Sequence, residues 1–188
     1  MKKKTLAIVL ATVIVVAGAI GGTLAWLTSQ EEITNTFTVG NIEIGLTEST
    51  FPTNAKLVPG TTIPKDPTVT VKAGSEESFV FVMIENKFST IGTLNISADW
   101  TAVATSGDKT IYKYKEVVSA TSVDTDLTKV FTTVTVSSNA TNSDLQNLIT
   151  NGTAKIKVMA YAHQTAEQNL SDAQTAFQTL LGGTWQAV

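Results

Sequence analysis

The chain has 188 residues, no cysteine, and 13 lysines with no arginine against 16 acidic residues, for a net charge of −3. This composition excludes disulfides, thiolate metal sites, a cysteine nucleophile and a lipid-modified cysteine anchor. It also argues against nucleic acid and anionic lipid as partners, because cationic contacts to phosphate dominate such binding.

Lys2, Lys3 and Lys4 precede an apolar run over residues 6–20, followed by Gly21-Gly22 and the small-residue sequence Thr23-Leu24-Ala25. A charged start, an apolar centre and an A-x-A-like end mark a secretory signal peptide. It is expected over residues 1–25, with cleavage between Ala25 and Trp26. The run extended to Leu27 is 22 residues, long enough to span a bilayer as an uncleaved anchor. Gly18 and Gly22 form a G-x-x-x-G pair, which in a membrane helix is a dimer face. The Gly21-Gly22 break just before Ala25 favours processing. The processed chain, residues 26–188, keeps ten lysines and 16 acidic residues, a net charge of −6. Its 163 residues fit one domain with a sizeable core, meeting the membrane only through the leader. Threonine occupies 32 of the 188 positions. It is β-branched, stiff at χ1 and suited to a pleated, half-wet surface.

Residues 26–35 are polar with little apolar alternation and read as an extended arm. Phe37 and Val39, then Ile42, Ile44 and Leu46, mark strand residues whose phase shifts at Gly40-Asn41. A one-residue slip turns every side chain to the other face, so a bulge or tight turn is expected there. Residues 57–67 carry Pro59-Gly60, Pro64 and Pro67, which exclude a central strand and predict a turn-rich loop. Thr68-Val69-Thr70-Val71 reads as a strand, turned by Ala73-Gly74-Ser75. Residues 79–84 are apolar at every position, the pattern of a strand buried on both faces. Leu94, Ile96, Ala98 and Trp100 alternate with polar residues as one half-exposed strand should. Ser106-Gly107-Asp108 marks a turn. Tyr112, Tyr114 and Val118 suggest the next strand and residues 130–136 another. Ile156, Val158, Ala160 and Ala162, set against Lys155 and Lys157, mark a last one.

Two helices are expected. Ser143 is positioned to cap residues 144–150, with Asn151-Gly152 as the stop. Leu170, Ala173, Phe177, Leu180 and Leu181 form an amphipathic stripe, with Ser171 as cap and Gly182-Gly183 as the end. The tail, residues 184–188, is apolar enough to pack on the body or on a neighbour. Seven or so strands separated by turn signals argue for a sandwich or barrel, and an all-β, two-sheet sandwich with one or two short peripheral helices is the expected form. The sandwich domain is expected over residues 36–188.

No catalytic, cofactor-binding or metal-binding set emerges, and the chain is not expected to be an enzyme. His163 is the sole histidine, whereas a zincin needs two, one helical turn apart; it reads as structural or surface-exposed. The nucleophile elbow G-x-S-x-G is absent. Asp124-Thr125-Asp126 resembles the start of a calcium loop but lacks its glycine and terminal glutamate, and reads as a solvated turn. Glu31-Glu32 and Glu76-Glu77 read as surface charge. Sequons at Asn95, Asn139, Asn151 and Asn169 arise easily in so threonine-rich a chain.

The run Gly21-Gly22-Thr23-Leu24-Ala25-Trp26-Leu27-Thr28, with Asn35-Thr36-Phe37-Thr38-Val39-Gly40-Asn41-Ile42, resembles the TasA/camelysin family of exported Gram-positive proteins. Leu57-Val58-Pro59-Gly60 leading to Ile63-Pro64-Lys65-Asp66-Pro67-Thr68-Val69 looks like that family's P-G…K-D-P segment. Val158-Met159-Ala160-Tyr161-Ala162-His163-Gln164 resembles its last strand, with His163 where an aliphatic residue is expected. The resemblance implies a jelly-roll sandwich, processing by a SipW-type signal peptidase, and secretion to the cell surface or extracellular matrix. There it implies assembly into biofilm-matrix fibres, a head-to-tail homopolymer with a minor accessory matrix subunit as a further partner. In those fibres the arm, residues 26–35 with Trp26, Leu27, Thr28 and Ile33, is expected to be donated as a strand to the next subunit. Some members of the family carry a metallopeptidase label, so a camelysin-like secreted metallopeptidase is the alternative. A monomeric surface adhesin or accessory matrix protein is the third reading.

Overall fold

The all-apolar run at residues 79–84 organises the fold. In the computed structural model, which describes residues 41–52, 55–87 and 89–188, it forms the middle of the longest strand and is covered on both faces. The described residues belong to one unit, Val39–Val188. They form twelve strands and two helices. The strands are β1 (Ile44–Thr47), β2 (Thr62–Pro64), β3 (Thr68–Val71), β4 (Ser75–Asn86), β5 (Gly92–Ile96) and β6 (Trp100–Ser106). They continue with β7 (Lys109–Tyr114), β8 (Val118–Ala120), β9 (Thr125–Asp126), β10 (Phe131–Val136), β11 (Ile156–Gln164) and β12 (Gln186–Ala187). The helices are α1 (Asn142–Thr150) and α2 (Leu170–Leu181).

One layer is a sheet in the order β11-β4-β7-β6-β12, with β8 pairing the start of β4. The other layer holds two smaller sheets, β1-β3-β9 and β2-β10-β5. These are continuous through the backbone: β2 runs through Lys65-Asp66-Pro67 into β3, and β9 leads to β10. Lys65 N–H donates to Thr132 C=O at 3.1 Å, and Val130 N–H to Pro67 C=O at 2.9 Å. All strand pairings are antiparallel.

The main core lies between the layers. Val80, Val82 and Ile84 of β4 meet Val69, Val71, Phe131 and Val134 from the opposite layer. The alternate residues of β4, Phe81 and Met83, face outward, where Ala173 and Phe177 of α2 cover them. Burial on both faces is therefore shared between the second layer and a helix. α1 closes a smaller cluster of Ile63, Val136, Ala140 and Leu145. The result is an all-β sandwich with two short helices.

Several local expectations need correction. The alternation from Leu94 to Trp100 is two strands in different sheets: β5 ends at Ile96, a turn follows, and Trp100 opens β6. Period-2 alternation continued across the turn by coincidence. Likewise Val118 lies in β8 and not in the strand of Tyr112 and Tyr114. The proline-rich stretch includes a three-residue strand, β2, at the edge of its sheet, where Pro64 costs no ladder bond. The cap of α1 is Thr141, not Ser143: its side chain accepts from Asp144 N–H while Asp144 reaches back to the Thr141 backbone. The cap of α2 is Asn169, not Ser171, with Asp172 completing the same capping box. Along the α2 stripe Leu180 is exposed; Ala173 and Phe177 are buried. The tail packs back on the body, with β12 on the edge of β6 and Trp185 against the α2 cluster. The phase shift at Gly40-Asn41 and the domain boundaries near residues 25 and 35 lie at or beyond the edge of the described residues.

Candidate assembly site

The segment Lys65-Asp66-Pro67, which joins the two small sheets, carries two buried charges. Lys65 reaches Glu48 at 2.6 and 2.7 Å and lies 5.0 Å from the centroid of Phe51. Asp66 accepts from the backbone N–H of Ser49 at 3.1 Å and of Thr50 at 2.8 Å, and from Ser49 Oγ at 2.9 Å. Lys129 adds an ion pair at 3.1 Å. The hydrogen bonds with Thr50 lead in holding the Asp66 carboxyl well below the usual carboxylate range, and Lys129 and Ser49 assist; burial works against them. Together the two residues clamp the chain just after β1 onto the body.

β1 pairs with β3 from Ile44↔Val71 to Thr47↔Thr68. Beyond Thr47 no strand continues that row beside β2 among the described residues. A cleft of about 1080 Å³ opens there. Ile63, Val134 and Ile156 line it, together with Phe51, Val58 and Ile149. The last three are 48%, 46% and 56% exposed, so large apolar side chains stand half uncovered in one place. β2 pairs β10 through Ile63↔Val134, flanked by backbone bonds at Thr61 and Lys65. By the alternation of an antiparallel ladder, the backbone groups of Thr62 and Pro64 face away from β10. That edge offers the Thr62 N–H and two carbonyls.

The cleft is also cationic. Four of the ten lysines in residues 26–188 line it: Lys56, Lys65, Lys155 and Lys157. The one carboxylate lining it, Glu48, is engaged by Lys65. Among the described residues Lys56, Lys155 and Lys157 form no ion pair. The sequence displayed Lys155 and Lys157 only as the polar phase of a strand. Nothing local announces that they converge with Lys56, which is far away along the chain.

Ala25, Trp26, Leu27, Thr28 and Ile33 all lie outside the described residues. His163 sits on β11 opposite Phe79, half-buried, with Nδ1 2.9 Å from the Tyr161 hydroxyl. Tyr161 stacks on Phe177 with centroids 4.7 Å apart and planes 2° apart, and burial raises its phenol pKa. His163 thus belongs to the aromatic packing under α2. Asp124 lies in an exposed turn, as expected, and its carboxylate accepts from Lys72 at 2.7 Å and from Ala73 N–H at 2.9 Å. Asp126, in β9, accepts from Thr70 Oγ1 at 2.6 Å. Both carboxylates tie β9 to its neighbours. Glu76 and Glu77 are exposed.

The fold and this site define a class: a β-sandwich with a strand edge unpaired among the described residues beside an apolar, lysine-lined cleft. Residues 1–77 match the family model described as camelysin metallo-endopeptidase, the family that the sequence resembles. Comparison with curated proteins gives no match, and neither does comparison with solved structures. The family description counts against the expectation of a non-enzyme. The match, however, covers the N-terminal part of the chain. Among the described residues no group of three or more histidine, cysteine or acidic residues could hold a metal. With His163 engaged by Tyr161, the described donor set does not fit a zinc peptidase centre. Among the same residues no helix is long and apolar enough to cross a membrane.

Proposed function

We propose that the chain is a secreted structural subunit of an extracellular matrix fibre. The arm, residues 26–35, is freed when a SipW-type signal peptidase cuts after Ala25, and it adds as a strand to the next subunit. The observation that carries this reading is the position beside β2 that no strand fills among the described residues, in a chain whose residues 1–77 match the camelysin family model. Strand addition satisfies edge N–H and C=O groups. Head-to-tail donation is heterologous and need not close, so it grows a filament. Each backbone hydrogen bond gained contributes about 0.5–1.5 kcal/mol. Burying Trp26, Leu27 or Ile33 adds about 1.5–3 kcal/mol per side chain, which offsets the entropy of ordering the arm.

Negative-stain electron microscopy of protein beginning at Trp26 tests the reading. Regular thin filaments are expected, and a folded monomer without filaments when residues 26–35 are removed. Filaments formed without the arm would refute strand donation.

The family description supports a second reading, a secreted metallopeptidase. It requires cleavage of casein that depends on added zinc and is lost with chelator. Inactive protein across zinc and calcium would remove it.

A further inference from the structure

We infer that the lysine-lined cleft is a binding site for a single-chain amphiphile with an anionic head, a free long-chain carboxylate being its simplest form. The inference goes beyond strand donation and does not rest on it. Thr62 and Pro64, whose backbone groups form the outer edge of β2, are not among the residues that line the cleft. The lining is mostly side chain, apolar and cationic, which recognises a hydrocarbon and a charge.

The cleft is graded from floor to mouth. Ile63 and Val134 are buried and Ile156 is half-buried, so the deep wall is hydrocarbon. Lys56, Lys155 and Lys157 are exposed and line the same space. They form no ion pair among the described residues. Glu48, the one carboxylate in the lining, is taken by Lys65. A neutral hydrocarbon would leave the three ammonium groups without a counter-charge. A small inorganic anion would leave the apolar wall wet. A chain that carries an anionic head answers both, with its tail on the deep wall and its head at the lysines. The lysine stems extend the apolar contact along the chain. The volume of about 1080 Å³ is at the upper end of small-ligand sites and ample for one acyl chain.

Charge also selects a free amphiphile over a bilayer. Residues 26–188 carry 16 acidic residues against ten lysines, so the body and an anionic membrane surface repel each other. The lysines of the cleft act instead at short range, on one head group that enters a concave site. There the apolar wall excludes water and strengthens the attraction.

The test titrates cis-parinarate, a long-chain carboxylate whose fluorescence rises on burial, onto gel-filtered monomer of the chain beginning at Trp26. All amphiphiles are kept below their micelle concentrations. Saturable binding of one probe per chain is expected. Laurate is expected to displace the probe, and octanoate to do so about a hundredfold less well. Dodecyltrimethylammonium, with the chain length of laurate and a cationic head, is expected not to displace it. Lys155→Gln with Lys157→Gln is expected to weaken binding about tenfold or more. Ile149→Asp, which puts a carboxylate on the wall, is expected to weaken it by about as much. Lys155, Lys157 and Ile149 are exposed, and circular dichroism with thermal melts checks that each variant folds. Folded protein without saturable binding would overturn the inference. So would unchanged affinity in the folded lysine variant, or displacement by the cationic amphiphile as effective as by laurate. Sedimentation with phosphatidylglycerol vesicles without binding of the probe would also overturn it, in favour of a membrane surface. Probe binding by a protein that forms no filaments would uphold this site and remove strand donation alone.

Discussion

Asp66 Oδ1 accepts the backbone N–H of Thr50 at 2.8 Å, a bond across sixteen positions of sequence made by a carboxylate that is 3% exposed. With Ser49 and Lys129 on the same group, Asp66 fastens the chain that follows β1. Replacing it removes these bonds and leaves a hole where the buried carboxylate stood, although Ser49 and Thr50 are exposed and can turn to water. Asp66→Ala is expected to cost about 1–3 kcal/mol, read as a lower urea midpoint. An unchanged midpoint would remove the clamp from the account.

The same carboxylate sets a pH dependence. Its folded pKa is lowered from 3.8, so its contribution to stability is complete above that value and is lost as pH falls from about 4 toward the lower folded pKa. The urea midpoint is expected to drop between about pH 5 and pH 3 in the unaltered protein and to drop less in Asp66→Asn. Parallel curves for the two proteins would show that other groups carry the acid sensitivity.

Phe177 is fully buried between Phe81, at 6.2 Å, and Tyr161, at 4.7 Å. Phe177→Ala opens a cavity beneath α2 and is expected to cost about 3–5 kcal/mol. Near-ultraviolet circular dichroism should lose intensity as the Tyr161 stack is released. A loss under about 1 kcal/mol would mean that α2 adds little to the fold.

Gly107 and Asp108 form a two-residue hairpin between Ser106↔Lys109. Gly107 has φ +61° while Asp108 has no positive φ, the pattern of a type II′ turn. A side chain at Gly107 meets no atom within 4 Å, so strain alone opposes it. Gly107→Ala is expected to cost about 1–3 kcal/mol, with the melting temperature as the measure.

The two candidate caps of α1 separate cleanly. Thr141→Ala is expected to cost about 1 kcal/mol, and Ser143→Ala no more than about 0.5 kcal/mol. The reverse order in denaturant melts would restore Ser143 as the cap.

Much of the fold was legible because its signals are local. Continuous apolarity at residues 79–84 announced a strand covered twice, and the i, i+3, i+7 spacing through Phe177 announced a helix with one buried stripe. Ser106-Gly107-Asp108 announced its turn because left-handed backbone favours glycine. Errors arose where two residues compete for one local role. Thr141 and Ser143 are both capping residues, and the presence of Asp144 three positions after Thr141 decides between them. Leu94 and Trp100 share a phase although a turn separates their strands.

The candidate site was legible only in part. The expected arm and cleavage point are readings of linear sequence, made without a fold, and they lie outside the described residues. The cleft is not linear: Lys56, Ile63 and Lys155 come from a loop, an edge strand and the approach to β11. The order of residues along the chain thus determined a β-rich body and the positions of most of its strands and of its two helices, because hydrophobic period and turn chemistry act over a few residues. Only the tertiary structure decided that Asp66 binds Thr50, that Lys65 takes Glu48, and that three lysines line one cleft beside an edge unpaired among the described residues. Long-range pairing is set by how the layers pack, and no short window of sequence records it.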